Sequence, residues 1–333
     1  MASLTAAALG IGASAGFTAS AGAASTPLNG AGSTLVAPLE AEWASDFAGQ
    51  TGITVNYNAV GSGTGITDIS QGTVDFGASD APLSSTQGAG CHNCIQIPWA
   101  LSATGVGYNI AGVGNKLHLD GPTLAGIYLG QITNWDDSAI KALNAGVRLP
   151  NLKITPVFRS DGSGDTYAFT DYLSRVSKSF ASRVGSATSV SFPAGVSGKG
   201  NSGVTADLEA TNGSIAYIAV SYLIAHQLPA VGIKNAAGKY EYPNLNNIEN
   251  AAQTVKRVPG SNALHIVDPS KKAKIAYPIS TFTYVIAPTT APNAYELKKF
   301  IKFAINDNKG AGLDFAPLPK VVKRAAIAAA NSL

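Results

Sequence analysis

Apolar positions along the chain follow two recurring patterns. Short runs rich in β-branched and aromatic residues predict strands at Ile53–Val60 (ITVNYNAV), Thr73–Ser79 (TVDFGAS), Thr104–Ile110 (TGVGYNI), Lys153–Arg159 (KITPVFR) and Thr281–Ala287 (TFTYVIA). Val36–Gly49, Thr166–Ser177 and Ala294–Asp307 instead carry their apolar residues at helical spacing. Ser214–His226 opens as a buried strand and turns helical. Strands alternating with helices predict an α/β architecture. There is no internal repeat and no long low-complexity linker, so the lobes are not separate beads.

A chain of 333 residues, 45% of them hydrophobic, can bury a large core and is expected to form more than one lobe. Only 13% of residues are charged, and Gly, Ser, Thr and Ala abound, as in exported bacterial proteins. Residues 1–24 are small, mildly apolar and uncharged, like the apolar and cleavage regions of a secretory signal peptide, with cleavage expected near Ala24. No later stretch has the apolar length of a membrane span. The two cysteines, Cys91 and Cys94, are spaced CxxC. For an exported chain this reads first as a disulfide. A redox-active pair would need a thioredoxin-like context, and zinc would need more ligands than the nearby His92. The net charge of +3 is dispersed apart from Lys271–Lys274 and Lys320–Arg324. These short runs, without interleaved aromatics, read as solvated surface, and no nucleic-acid partner is expected.

Four segments share a different design, a strand end followed by a Gly/Ser/Thr turn and often a helix start. They are NGAGSTLVAPL with Ser33 and Thr34, VGSGTGITDI with Ser62 and Thr64, DFGASDAPLS with Ser79 and Asp80, and RSDGSGDTYAFTDYL from Arg159. Helix N-termini expose unpaired N–H groups and the positive end of the helix dipole, which suits anions. Taken singly, each turn is explained as well by ordinary N-capping. Asp136–Asp137 reads as a helix cap, and Trp43, Trp99, Trp135, Tyr108 and Tyr217 as core. No G-x-S-x-G elbow lies between a predicted strand and helix, no P-loop occurs, and no histidine is placed to serve a serine nucleophile. An enzyme, a metal site and a cofactor are therefore not expected.

The segments NGAGST, VGSGTG, VDFGASDAPLS, IYLGQITNWDD, RSDGSGDTYAFTDYLS, GKGNSGV and YPIS occur in one order between Asn29 and about Leu318. As a set they resemble the phosphate-binding proteins of phosphate-specific ABC transporters. The resemblance implies a type II periplasmic-binding-protein fold, with two α/β lobes around a central cleft: residues 27–101 plus 283–333, and residues 102–282. The crossing segments would lie near Pro98–Ala103 and Ile279–Thr283. It implies a monomeric receptor, periplasmic or at the cell surface, that binds inorganic phosphate without catalysis and serves a membrane permease and its ATPase. The implied ligands are Thr34, the Leu35 N–H, Ser62, Asp80, Arg159 held by Asp161, Ser163, the Gly164 N–H and Asp165. Asp161 has a plainer reading as a turn residue. Asp165 stands where the family commonly has Thr, and two readings are open: it caps the helix near Thr166, or it faces the ligand as a second carboxylate acceptor. A secreted phosphatase-like protein and a scavenging or adhesion protein with the same cradle are the rival readings.

Overall fold

The computed structural model describes residues 26–333 apart from 92, 116 and 308. The signal-peptide-like segment and His92 lie outside the described residues. The strands are β1 (Leu28–Gly32), β2 (Val55–Asn58), β3 (Phe76–Ser79), β4 (Cys94–Asn109), β5 (His118–Leu119), β6 (Thr155–Arg159), β7 (Val196–Gly198), β8 (Ser214–Ala219), β9 (Gly232–Lys234), β10 (Tyr240–Glu241) and β11 (Ser280–Pro288). Eight form one mixed sheet in the order β2-β1-β3-β11-β4-β8-β6-β7, and β10-β9-β5 form a small second sheet.

β4 joins the two halves of the large sheet. Its residues Cys94–Ala103 pair antiparallel with β11. Its residues Thr104–Asn109 pair antiparallel with β8. β1, β2 and β3 run parallel in the first half, as do β6, β7 and β8 in the second. β3 and β8 are buried along their whole length, which is why their sequences do not alternate, whereas the edge strand β2 (VNYN) does. The expected strand Thr104–Ile110 is the distal part of this longer strand. Pro98, which cannot donate to a ladder, sits at a register shift where Thr283 pairs with Ala100 and Tyr284 with Pro98. Trp99 is the extra, bulged residue.

Each half has its own core. Trp43, Phe47, Phe76, Trp99 and Phe300 anchor the first, with the Trp43 and Trp99 rings 5.1 Å apart. Tyr108, Tyr128, Trp135, Phe169 and Tyr217 anchor the second. The helix expected at Val36–Gly49 spans Ala37–Thr51, with Pro38 in its first turn and Gly52 closing it in the left-handed conformation. Asp137 caps the helix Ser138–Leu143 by accepting the Ala139 N–H. Cys91 and Cys94 form a disulfide, and Cys94 opens β4 opposite Pro288. Among the described residues no helix is long and apolar enough to cross a membrane.

Candidate anion-binding site

The C-terminal ends of β1, β3, β6 and β7 converge where the two halves of the sheet meet, the position at which open α/β sheets build ligand sites. Four helices begin there: Ala37–Thr51, Ser62–Ser70, Gly164–Val176 and Gly200–Ala210. The first three follow the turns singled out in the sequence. The fourth begins within GKGNSGV, a segment from which no ligand was expected.

From the first half come Ser33, Thr34, Leu35, Ser62 and Asp80, all buried. The Ser33 hydroxyl lies 2.6 Å from both carboxyl oxygens of Asp80, and it accepts the N–H groups of Leu35 at 3.0 Å and Val36 at 3.2 Å. The Leu35 N–H, expected to face an anion, is thus engaged by Ser33. Ser62 Oγ reaches Asp80 Oδ2 at 3.4 Å and accepts the Gly164 N–H at 3.1 Å. That second bond crosses between the halves. A backbone bond from Gly63 N–H to the Gly162 carbonyl, 2.9 Å, crosses beside it.

From the second half comes Arg159, held on three of its five guanidinium N–H groups. Its Nε and Nη2 donate to the two oxygens of Asp161, at 2.8 and 2.5 Å. Its Nη1 donates to Asp165 Oδ2 at 3.2 Å. Asp161 also accepts the Gly200 N–H at 2.9 Å, which ties the fourth helix start to the arginine. Asp161 is therefore a bidentate partner of Arg159 as well as a turn residue. A guanidinium has five N–H donors. Three are spent here, and one each on Nη1 and Nη2 remains for a ligand. Tyr217, read as core, is buried in the second core, and its hydroxyl accepts the Arg159 backbone N–H at 2.9 Å.

Asp165 does not cap its helix. Ser163 does, accepting the Thr166 N–H. With Gly164 as the first helical residue, the Asp165 side chain turns inward and is 1% exposed. Oδ1 accepts the Thr104 hydroxyl at 2.7 Å, and Oδ2 accepts Asn201 Nδ2 at 2.8 Å as well as Arg159. Thr104 and Asn201 are partners that the sequence reading missed; Ser33 was singled out there, but not as the partner of Asp80. Ser33 and Asn201 lay inside the quoted motifs NGAGST and GKGNSGV, but motif membership does not say which side chain turns inward.

The cradle holds one guanidinium against three carboxyls. Burial, with the nearby Asp165 as the next cause, pushes Asp80 up to about 8. Asp165 is also raised by burial, against the pull of Arg159, Thr104 and Asn201. Burial opposes ionisation of Asp161 too, but the Arg159 contacts outweigh it and hold Asp161 below the ordinary range. Burial thus favours the protonated form of both acids, while Asp165 is also fed by three donors, Thr104, Asn201 and Arg159. Among the described residues there is no cluster of His, Cys, Asp and Glu suited to a metal. The arrangement supplies hydroxyls, helix-start N–H groups and a guanidinium fork to an oxyanion, and two carboxyls that each require a proton between themselves and that anion.

This fold and cradle define a substrate-binding protein, and the comparisons agree: residues 18–308 match the PBP superfamily domain. The chain is 37% identical over 307 residues to the phosphate-binding protein PstS of Xylella fastidiosa, covering 89% of this chain and 82% of that one. It is 35% identical to the phosphate-binding protein PstS of Pasteurella multocida, covering 89% and 87%. A crystal structure of a phosphate-binding protein from Stenotrophomonas maltophilia superposes with a TM-score of 0.69 at 19% identity, covering 91% and 94%. The chain belongs to the PstS family of phosphate-binding proteins.

Proposed function

We propose that this protein captures inorganic phosphate outside the cytoplasm and delivers it to the permease and ATPase of an ABC importer, by binding and closure without a chemical step. The carrying observation is the pairing of a half-used Arg159 fork with two buried carboxyls. The fork and the three site hydroxyls, Thr34, Ser62 and Ser163, favour a tetrahedral oxyanion. The ligands proposed are Thr34, Ser62, Asp80, Arg159, Ser163 and Asp165, with Asp161 holding the arginine; the Leu35 and Gly164 N–H groups, expected as ligands, are spent on Ser33 and Ser62. The two halves are proposed as lobes, residues 27–101 plus 283–333 and residues 102–282, that hinge on β4 and β11. The bonds from Gly164 to Ser62 and from Gly63 to Gly162 would form as they close.

The two carboxyls set the ligand's protonation. Each carboxyl–anion contact needs one bridging proton, because two acceptors without one repel at a buried site. Asp80 brings its own proton below about pH 8. Asp165, which accepts from three donors, is proposed as the carboxylate of the pair, so the ligand must supply one. Phosphate carries protons at neutral pH and sulfate carries none, so Asp165 is proposed to reject sulfate. Calorimetric titration of phosphate-stripped protein with phosphate and then sulfate, at pH 6 and pH 8.5, tests this. Tight phosphate binding with no sulfate heat, weaker at pH 8.5, is expected. Absence of phosphate heat at both pH values would end the phosphate reading.

A further inference from the structure

Asn201 is fully buried at the second residue of the helix Gly200–Ala210. Its Oδ1 accepts the backbone N–H of Ala219 at 2.9 Å, at the end of β8. A backbone N–H can only donate, so this contact fixes which end of the amide is oxygen. Both Nδ2 hydrogens then face the site. One goes to Thr34 Oγ1 at 2.8 Å, across from the other half of the sheet, and one to Asp165 Oδ2 at 2.8 Å. The Asn201 N–H adds a second donor to Thr34 Oγ1 at 3.3 Å.

We infer that Asn201 is a positioning residue that sets the polarity of two ligand groups at once, making Thr34 a donor and Asp165 an acceptor toward the anion. This rests on the proposed phosphate site and deepens it. A hydroxyl that already accepts two N–H groups has its own proton left, and that proton points away from them. Thr34 therefore offers a hydrogen to the anion. Asp165 receives Asn201 and Arg159 on Oδ2 and Thr104 on Oδ1, so three of its roughly four lone-pair positions are filled by donors. One position remains, and it can only accept. The anion must bring an oxygen to Thr34 and a proton to Asp165.

Several charged or titratable groups act on Asp165. Arg159 at the end of β6 and Asp161 in the turn after it lie on its own half. Asp80 faces it from the end of β3. Tyr217 of β8 and Tyr222 of the helix Val220–Ala225 feel its charge. None of the others supplies the neutral, direction-fixed N–H that Asn201 does.

The test uses two variants, because a cavity at Asn201 can weaken folding. Asn201→Ala removes both donors. Asn201→Asp keeps the volume and the Ala219 contact but turns the site-facing end into an acceptor. Phosphate and sulfate affinities are measured by calorimetry at pH 6.0, 7.5 and 8.5 for the full chain and both variants. Without its amide donor Asp165 takes up a proton more readily, so the ligand need not bring one. Asn201→Ala is then expected to bind sulfate measurably at pH 6.0 and to lose less phosphate affinity between pH 6.0 and 7.5 than the parent. Asn201→Asp draws the Thr34 proton away from the ligand and should weaken phosphate on the order of 100-fold at pH 8.5. If either folded variant weakens phosphate by one constant factor at all three pH values and still excludes sulfate, Asn201 is only structural and the inference is wrong. Failure of the parent to bind phosphate would instead remove the site reading beneath it.

Discussion

Gly164 lies flush against Asp80: a β-carbon built on the glycine would stand 2.4 Å from the Cβ of Asp80 and 2.7 Å from its Cα. Two halves of the sheet meet at this contact, and backbone cannot yield as a flexible side-chain tip can. Gly164→Ala is expected to leave the unliganded melting temperature nearly unchanged, since alanine is favoured in a helix. It should hold the halves apart and weaken phosphate binding about 10- to 100-fold, a loss of roughly 1.4 to 2.8 kcal/mol. Parallel melting and titration curves separate the two effects.

Asp165 makes a different prediction. Replacing it with Thr supplies a hydroxyl that can donate. At pH 6, where Asp80 still carries its proton, Asp165→Thr should bind sulfate, within about 100-fold of its phosphate affinity. At pH 8.5 Asp80 ionises and sulfate should again be refused. In the parent, phosphate affinity should fall from pH 6 to 8.5, because both Asp80 and the ligand lose protons over that range. Sulfate still excluded from Asp165→Thr at pH 6 would assign the discrimination to another group.

Glu40 is a buried acid that the site does not use. It is 2% exposed, its Oε1 has no hydrogen-bond partner, and burial pushes it up to about 8. A folded-state value above the unfolded one means that the native protein holds a proton the unfolded chain has released. The associated stability is present at low pH and drains away as pH rises from the ordinary carboxylate range to about 8. Glu40→Gln cannot ionise. It should be more stable than the parent at pH 8 by about 2 to 4 kcal/mol, with the gap closing near pH 4.5. Denaturant midpoints at the two pH values would show it, and an equal gap at both would contradict it.

The disulfide between Cys91 and Cys94 closes a very short loop, so its entropic contribution is modest, about 2 kcal/mol. Cys91→Ser with Cys94→Ser should lower the melting temperature but leave phosphate affinity within about twofold. The bridge packs with Ile66, Ile69 and Ile286, behind the helix that Ser62 begins rather than in the cradle. A tenfold affinity loss would mean that the clip positions Ser62.

Much of this was readable from the chain because it is local. A Gly/Ser/Thr turn before a helix start exposes the same groups whatever surrounds it, so Ser62 and the turn after Arg159 could be singled out from a few neighbours, while Ser163 and Gly164 came from the family resemblance. Arg159 and Asp161 are two residues apart and pair within one turn. Contacts made by distant segments were not readable. Asn201 meets Thr34 across 167 positions, and Thr104 reaches Asp165 across 61. The inward turn of Asp165 depended on Ser163 taking the cap first, a competition that composition cannot rank. Only the distal part of β4 was predicted, as Thr104–Ile110, because Pro98 and the bulge at Trp99 interrupt a strand that the sheet makes continuous.

That bulge has a further consequence. Trp99, whose indole N–H has no partner, is the extra residue on a strand shared by both halves, and its ring lies 5.1 Å from Trp43. Trp135 is buried in the opposite core, away from this pair. Trp43 and Trp99 share the first core, so their overlap follows the packing of that half, while Trp135 follows the packing of the other. Ultraviolet emission can thus follow the loosening of each core separately, without any attached dye.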